Sequence, residues 1–229
     1  MKKLALHIFL LFASVILYSQ NKETVLKANW EFHQKGRENW FPASIPGNVH
    51  TDLLMNEQIP DPFYGDNEQK VQWVENEDWE YRTVFTCDKK MLSQSNIELK
   101  FEGLDTYAKV YLNDKLILES DNMFRSWLVN IKKQAIEGEN KLLIIFASAV
   151  KRGKAEAAKL AYTLPGDEKI FTRKAQYQYG WDWGPRLVTC GIWKPIKLIT
   201  WNKLKIESIY ACTKQIKDST ATIDIALCV

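Results

Sequence analysis

The sequence predicts a mainly β protein, a sandwich of antiparallel strands, on three observations. From Trp30 onward the apolar residues fall in short runs or strict alternation, the period of half-buried strands rather than of helices. Gly, Pro, Asn and Asp, the residues of tight reversals, separate these runs. A chain of 229 residues has room for one well-filled sandwich plus a remnant, but not for two domains with independent cores.

Met1 to Ser19 reads as a secretory signal peptide, with Lys2 and Lys3 as its basic start and Leu4 to Tyr18 as its apolar run. That run falls short of the roughly 20 residues a membrane span requires, with an uncleaved anchor as the alternative. A secreted or periplasmic protein is therefore expected. The first domain is expected over residues 21–201.

Between Thr51 and Glu77 the pattern loosens around Pro60, Pro62 and Gly65, as in insertions that carry function or cover an edge. Val49 to Glu57 predicts one or two helical turns, with Thr51 as N-cap and Leu53 and Leu54 facing inward. Strands are predicted over Trp79–Thr86, Ile97–Glu102 and Ala108–Leu112. Asn113 and Asp114 then reverse the chain into Lys115–Leu118. Asn140–Ala147 is almost continuously apolar, which suits a strand covered on both faces. Lys151–Tyr162 predicts a helix whose polar side carries Lys151, Arg152 and Lys154. Ile192–Thr200 predicts a further strand, with Pro195 marking an edge or a bulge.

After Trp201 two alternating stretches, Leu204–Thr213 and Thr220–Val229, flank the polar residues 214–219. A lone hairpin cannot bury its own apolar face. Residues 203–229 are thus expected to open a second, truncated β-sandwich.

The formal net charge of +3 and a hydrophobic fraction of 46% describe an ordinary globular chain. The basic residues are scattered, which argues against nucleic acid as a partner. No membrane partner is expected of the mature chain. Cys87, Cys190, Cys212 and Cys228 include no C-x-x-C pair, so zinc is not expected; disulfides and buried thiols both remain open. Only His33 and His50 follow the leader. With no P-loop, Rossmann glycine pattern or G-x-S-x-G elbow, no metal or cofactor is expected.

The stretch with the most chemistry is Gln176–Pro185, QYQYGWDWGP. A pyranose lays its C–H face on an indole and donates its hydroxyls to a carboxylate, and Trp181, Asp182 and Trp183 supply both halves of that recognition. Gly180 and Gly184 permit sharp turns, and Pro185 stops a regular helix or central strand. The competing reading makes the tryptophans core anchors and Asp182 a turn residue. Glu75, Glu77, Asp78 and Glu80 form a second carboxylate cluster, which reads as a solvated, turn-forming stretch.

The chain resembles the N-terminal part of a β-mannosidase of glycoside hydrolase family two. The likeness is carried by ASIPGNVHTDLL (Ala43 to Leu54), IPDPFYGDNE (Ile59 to Glu68), QWVENEDWEYRTVF (Gln72 to Phe85), FEGLDTYAKVYLND (Phe101 to Asp114), NMFRSW (Asn122 to Trp127) and RKAQYQYGWDWGP (Arg173 to Pro185). It implies a galactose-binding-like jelly-roll β-sandwich, then an immunoglobulin-like β-sandwich, then a (β/α)8 catalytic barrel beyond Val229. No catalytic acid, base or nucleophile is accordingly assigned within this chain. The resemblance further implies that the tryptophan loop reaches the barrel's mannose pocket. Asp182 would accept sugar hydroxyls there, Trp181 and Trp183 would wall the site, and Arg173 and Gln176 would orient Asp182. The implied substrate is a β-mannoside oligosaccharide or glycan; the alternative is a stand-alone carbohydrate-binding module without hydrolysis.

Overall fold

The computed structural model describes residues 22–229. The expected signal peptide lies outside the described residues. In chain order the strands are β1 (Lys22–Val25), β2 (Glu31–Gln34), β3 (Phe41–Pro42), β4 (Trp79–Cys87), β5 (Asn96–Phe101), β6 (Tyr107–Leu112), β7 (Lys115–Asp121), β8 (Trp127–Asn130) and β9 (Gly138–Ala147). They continue with β10 (Tyr179–Trp181), β11 (Gly184–Arg186), β12 (Ile196–Trp201), β13 (Ser208–Lys217) and β14 (Thr220–Cys228). The helices are α1 (Val49–Met55), α2 (Asn67–Lys70), α3 (Lys89–Leu92) and α4 (Ala149–Ala157).

A six-stranded antiparallel sheet ordered β3-β2-β4-β9-β6-β7 faces a four-stranded one ordered β1-β12-β5-β8. The alternation in β4 buries Trp79, Tyr81, Thr83, Phe85 and Cys87 while Arg82, Val84 and Thr86 point outward. Phe32, Leu142, Ile144 and Phe146 share that inner face and meet Ile97, Leu99, Phe101, Ile196 and Leu198 from the smaller sheet in one core. Asn113 and Asp114 both have positive φ, 48° and 64°, as the two-residue reversal between β6 and β7 demands.

Several boundaries differ from the sequence expectation for identifiable reasons. Asn48, not Thr51, caps α1: its side chain accepts from His50 N and Thr51 N, and Thr51 takes the third helical position of a capping box. Leu53 is buried, but Leu54 lies outside. β9 is central in its sheet, yet Leu143 and Ile145 are only half-buried, so one of its faces is fully covered and the other partly. The strand expected from Ile192 begins at Ile196 and is interior, between β1 and β5. Pro195 sits just before it and contributes its carbonyl, which accepts from Glu102 N at 3.1 Å. Helix α4 starts earlier and ends five residues sooner than predicted, with Ser148 Oγ accepting from Lys151 N. β13 runs to Lys217, so most of the expected polar connector is strand and Asp218, with φ 53°, makes the turn.

Cys87, Cys190, Cys212 and Cys228 are free thiols. Among the described residues, no helix is long and apolar enough to cross a membrane.

Candidate functional site at the tryptophan hairpin

The short hairpin β10–β11 carries Trp181, Asp182 and Trp183 at its tip, with Tyr179 opposite Arg186 and Trp181 opposite Gly184. Gly180, at φ 92°, supplies the left-handed step that a side chain would resist, and a Cβ there would press on Arg186 Cβ at 3.3 Å. Gly184 has no such positive φ and meets only ordinary contact, so the expectation of two turn glycines holds for one of them.

The tip is exposed. Trp183 is 85% and Trp181 55% accessible, and Asp182 is exposed between them. The two indoles meet edge to face with centroids 6.1 Å apart. This overturns the competing reading of the tryptophans as core anchors, since burying an indole is the usual route to its stabilisation. Beside the tip lies an open hollow of about 700 Å³, lined by Phe63, Tyr177, Trp181, Trp183, Pro185 and Leu187 among others.

Arg173 and Gln176 do not orient Asp182 in this structure. Arg173 Nη1 donates to Asp121 Oδ2 at 3.2 Å, because Arg173 forms an isolated bridge with Asn122 that brings its side chain beside Asp121. Gln176 Nε2 donates to backbone carbonyls, that of Lys169 at 3.0 Å first among them. Gln176 nevertheless lines the hollow.

Below the tip, two ion-pair systems fix the segment. Lys174 Nζ lies 2.5 and 2.6 Å from the Asp105 carboxylate and 2.7 Å from Thr189 O, so it ties the two ends of the segment together. Gln178 Nε2 adds a bond to Asp105 at 3.2 Å. On the other side Arg186 meets Glu75 and Glu168. Burial alone would lower the Arg186 pKa, but its hydrogen bonds to the two carboxylates outweigh this and raise it. Burial likewise works to raise Glu168, and the Arg186 bond prevails to hold it below the usual carboxylate range.

The acidic stretch around Glu75 is therefore not a solvated turn. Glu75 is 9% exposed and paired with Arg186, Glu80 pairs with His33 at 2.9 Å, and Asp78 accepts from Ser148 N at 2.9 Å. Sequence reasoning missed Phe63, Tyr177 and Arg186. The aromatics of Phe63, in a Pro- and Gly-rich loop, and Tyr177 were legible as exposed ring candidates; the partners of Arg186 are 18 and 111 residues away and were not. Among the described residues, no group of three or more His, Cys, Asp or Glu side chains is placed to hold a metal.

The fold and the site together define a two-sheet antiparallel β-sandwich that presents an exposed, aromatic-flanked carboxylate. Residues 30–194 match the family described as "Glycosyl hydrolase 2 galactose-binding domain-like", and the chain belongs to that family. It is 42% identical over 200 residues to Beta-mannosidase B of Thermothelomyces thermophilus, covering 82% of this chain and 23% of that protein. It is 42% identical over 184 residues to Beta-mannosidase B of Emericella nidulans, covering 76% of this chain and 22% of that one. Among solved structures, the crystal structure of a β-D-mannosidase from Dictyoglomus thermophilum aligns over 90% of this chain and 26% of that chain, with a TM-score of 0.85 and 45% identity. The chain thus spans less than a quarter of the length of these curated relatives.

Proposed function

We propose that this chain is the N-terminal, non-catalytic region of a secreted or periplasmic retaining exo-β-mannosidase that releases terminal β-D-mannose from oligosaccharides or glycans. The observation that carries the reading is the exposed Trp181–Asp182–Trp183 tip, held out on a braced hairpin. The similarity to named β-mannosidases supports the substrate class. In this reading Asp182 accepts hydrogen bonds from sugar hydroxyls, and Trp181 and Trp183 wall the terminal residue.

The chemistry itself belongs to a partner within the same protein. Retaining glycosidases place two carboxyl groups roughly 5–5.5 Å apart, one protonating the leaving oxygen and the other attacking the anomeric carbon. Both are glutamates of the downstream barrel here. The β13–β14 hairpin opens the intervening immunoglobulin-like domain: Ile209, Ile223, Ile225 and Leu227 lie on one exposed face that a further sheet would cover.

Assaying the full-length protein against aryl β-mannoside, β-galactoside and β-glucuronide tests the proposal. Hydrolysis of the mannoside with retention is expected. Saccharide binding without turnover of any of the three would make the chain part of a binding protein instead.

A further inference from the structure

We infer that Arg186 is a positioning residue, which aims the Trp181–Asp182–Trp183 tip through a two-carboxylate clamp; the inference rests on the reading of Asp182 as a sugar contact. Every polar group of Arg186 is engaged. Its backbone N donates to Glu68 Oε1 at 2.7 Å, and its carbonyl accepts from Gln72 Nε2 at 2.7 Å. Nε and Nη2 reach Glu75 at 3.0 and 2.8 Å, Nη2 also reaches Glu168 at 2.8 Å, and Nη1 lies 3.5 Å from Tyr179 O. Four side chains from other segments thus converge on one residue at the base of the hairpin.

Among the described residues, the tip has no comparable support of its own. Two three-residue strands form no stable unit in water, so the direction of this hairpin is set by what grips its base. Arg186 lies directly across from Tyr179, and Gly180, the next residue of β10, takes the left-handed step that leads to the Asp182–Trp183 turn. A guanidinium fork meeting carboxylates through parallel bonds fixes orientation as well as distance, which a lysine ammonium does not.

Both jaws of the clamp hang from helix α4. Ser148, its N-cap, donates Oγ to Glu75 O at 2.5 Å. Gly153, in its middle, approaches Glu168 so closely that a Cβ would collide with the Glu168 carbonyl. Glu75 and Glu168 come from distant parts of the sequence, yet the backbone of each packs against this one helix. The two carboxylates are 9% and 11% exposed, while the Arg186 side chain keeps 31% of its surface accessible.

The test is a double-mutant cycle in the full-length protein with an aryl β-mannoside: Arg186→Lys, Asp182→Ala and both together. Arg186→Lys alone is expected to lower kcat/KM roughly tenfold or more, the scale of a lost charged hydrogen bond. In the Asp182→Ala background it should add little, because its effect runs through the carboxylate already removed. Glu75→Gln, a milder change to the clamp, should show the same non-additivity and serves if Arg186→Lys does not fold. If Asp182→Ala lowers activity but both clamp variants are neutral, or multiply with it in full, the inference is overturned while the sugar-contact reading stands. If Asp182→Ala alone changes nothing, that reading fails first.

Discussion

Lys174 and Asp105 form a bidentate ion pair with side chains 0% and 3% exposed, directly beneath the segment that carries the tryptophan tip. Burial pulls the Lys174 ammonium below the ordinary lysine range, against the opposing attraction of Asp105. Such a pair adds modest net stability, but removing one partner strands a buried charge. Lys174→Met should therefore destabilise the fold by about 3–5 kcal/mol, read from the denaturant midpoint. A cost below about 1 kcal/mol, as for an exposed pair, would contradict the buried geometry.

His50 and Asp52, two residues apart on α1, titrate in opposite senses. Burial first, and the Lys174 charge second, lower the His50 pKa from 6.5 to about 4, so stability rises with pH across that interval as the unfolded chain gives up its extra proton. Burial raises Asp52 from 3.8 to about 6, against hydrogen bonds from Ser44 N and Tyr81 Oη. There the folded state holds the extra proton, and stability falls as pH rises. The two contributions nearly cancel between about pH 4 and 6. Asp52→Asn should unmask a rise, and His50→Gln a fall, approaching ~1.4 kcal/mol per pH unit. Denaturant titrations at successive pH values read the slopes; flat profiles in both variants would refute the assignment.

Helix α4 tolerates no side chain at its middle. Gly153→Ala should be destabilising although alanine is the better helix former by about 1 kcal/mol, because the new methyl meets the Glu168 backbone. Thermal unfolding decides the sign. A stabilised variant would show that the helix and the 167–171 segment can separate at little cost.

Much of the sandwich was legible because period-two alternation is a local property. Trp79–Thr86 and Ala108–Leu112 were placed within one residue of β4 and β6, and Asn113–Asp114 announced its reversal. Features that depend on distant partners were not legible. Nothing within QWVENEDWE reveals that Arg186, 111 residues later, will draw Glu75 inside. Arg173 likewise looked free to reach Asp182 until the bridge to Asn122 set it beside Asp121. Even the local error at Thr51 is of this kind: Asn48, which also accepts from Thr189 Oγ1 at 3.0 Å, is the cap that the tertiary structure selects.

The tip makes the most direct demand of the account. Asp182 is exposed, so its replacement by alanine should change stability by less than about 0.5 kcal/mol. In the full-length protein the same change should lower kcat/KM for an aryl β-mannoside by roughly 1–3 kcal/mol in transition-state free energy. An Asp182→Ala enzyme that folds and keeps its full kcat/KM would contradict the account and leave the tryptophan hairpin with no role in sugar recognition.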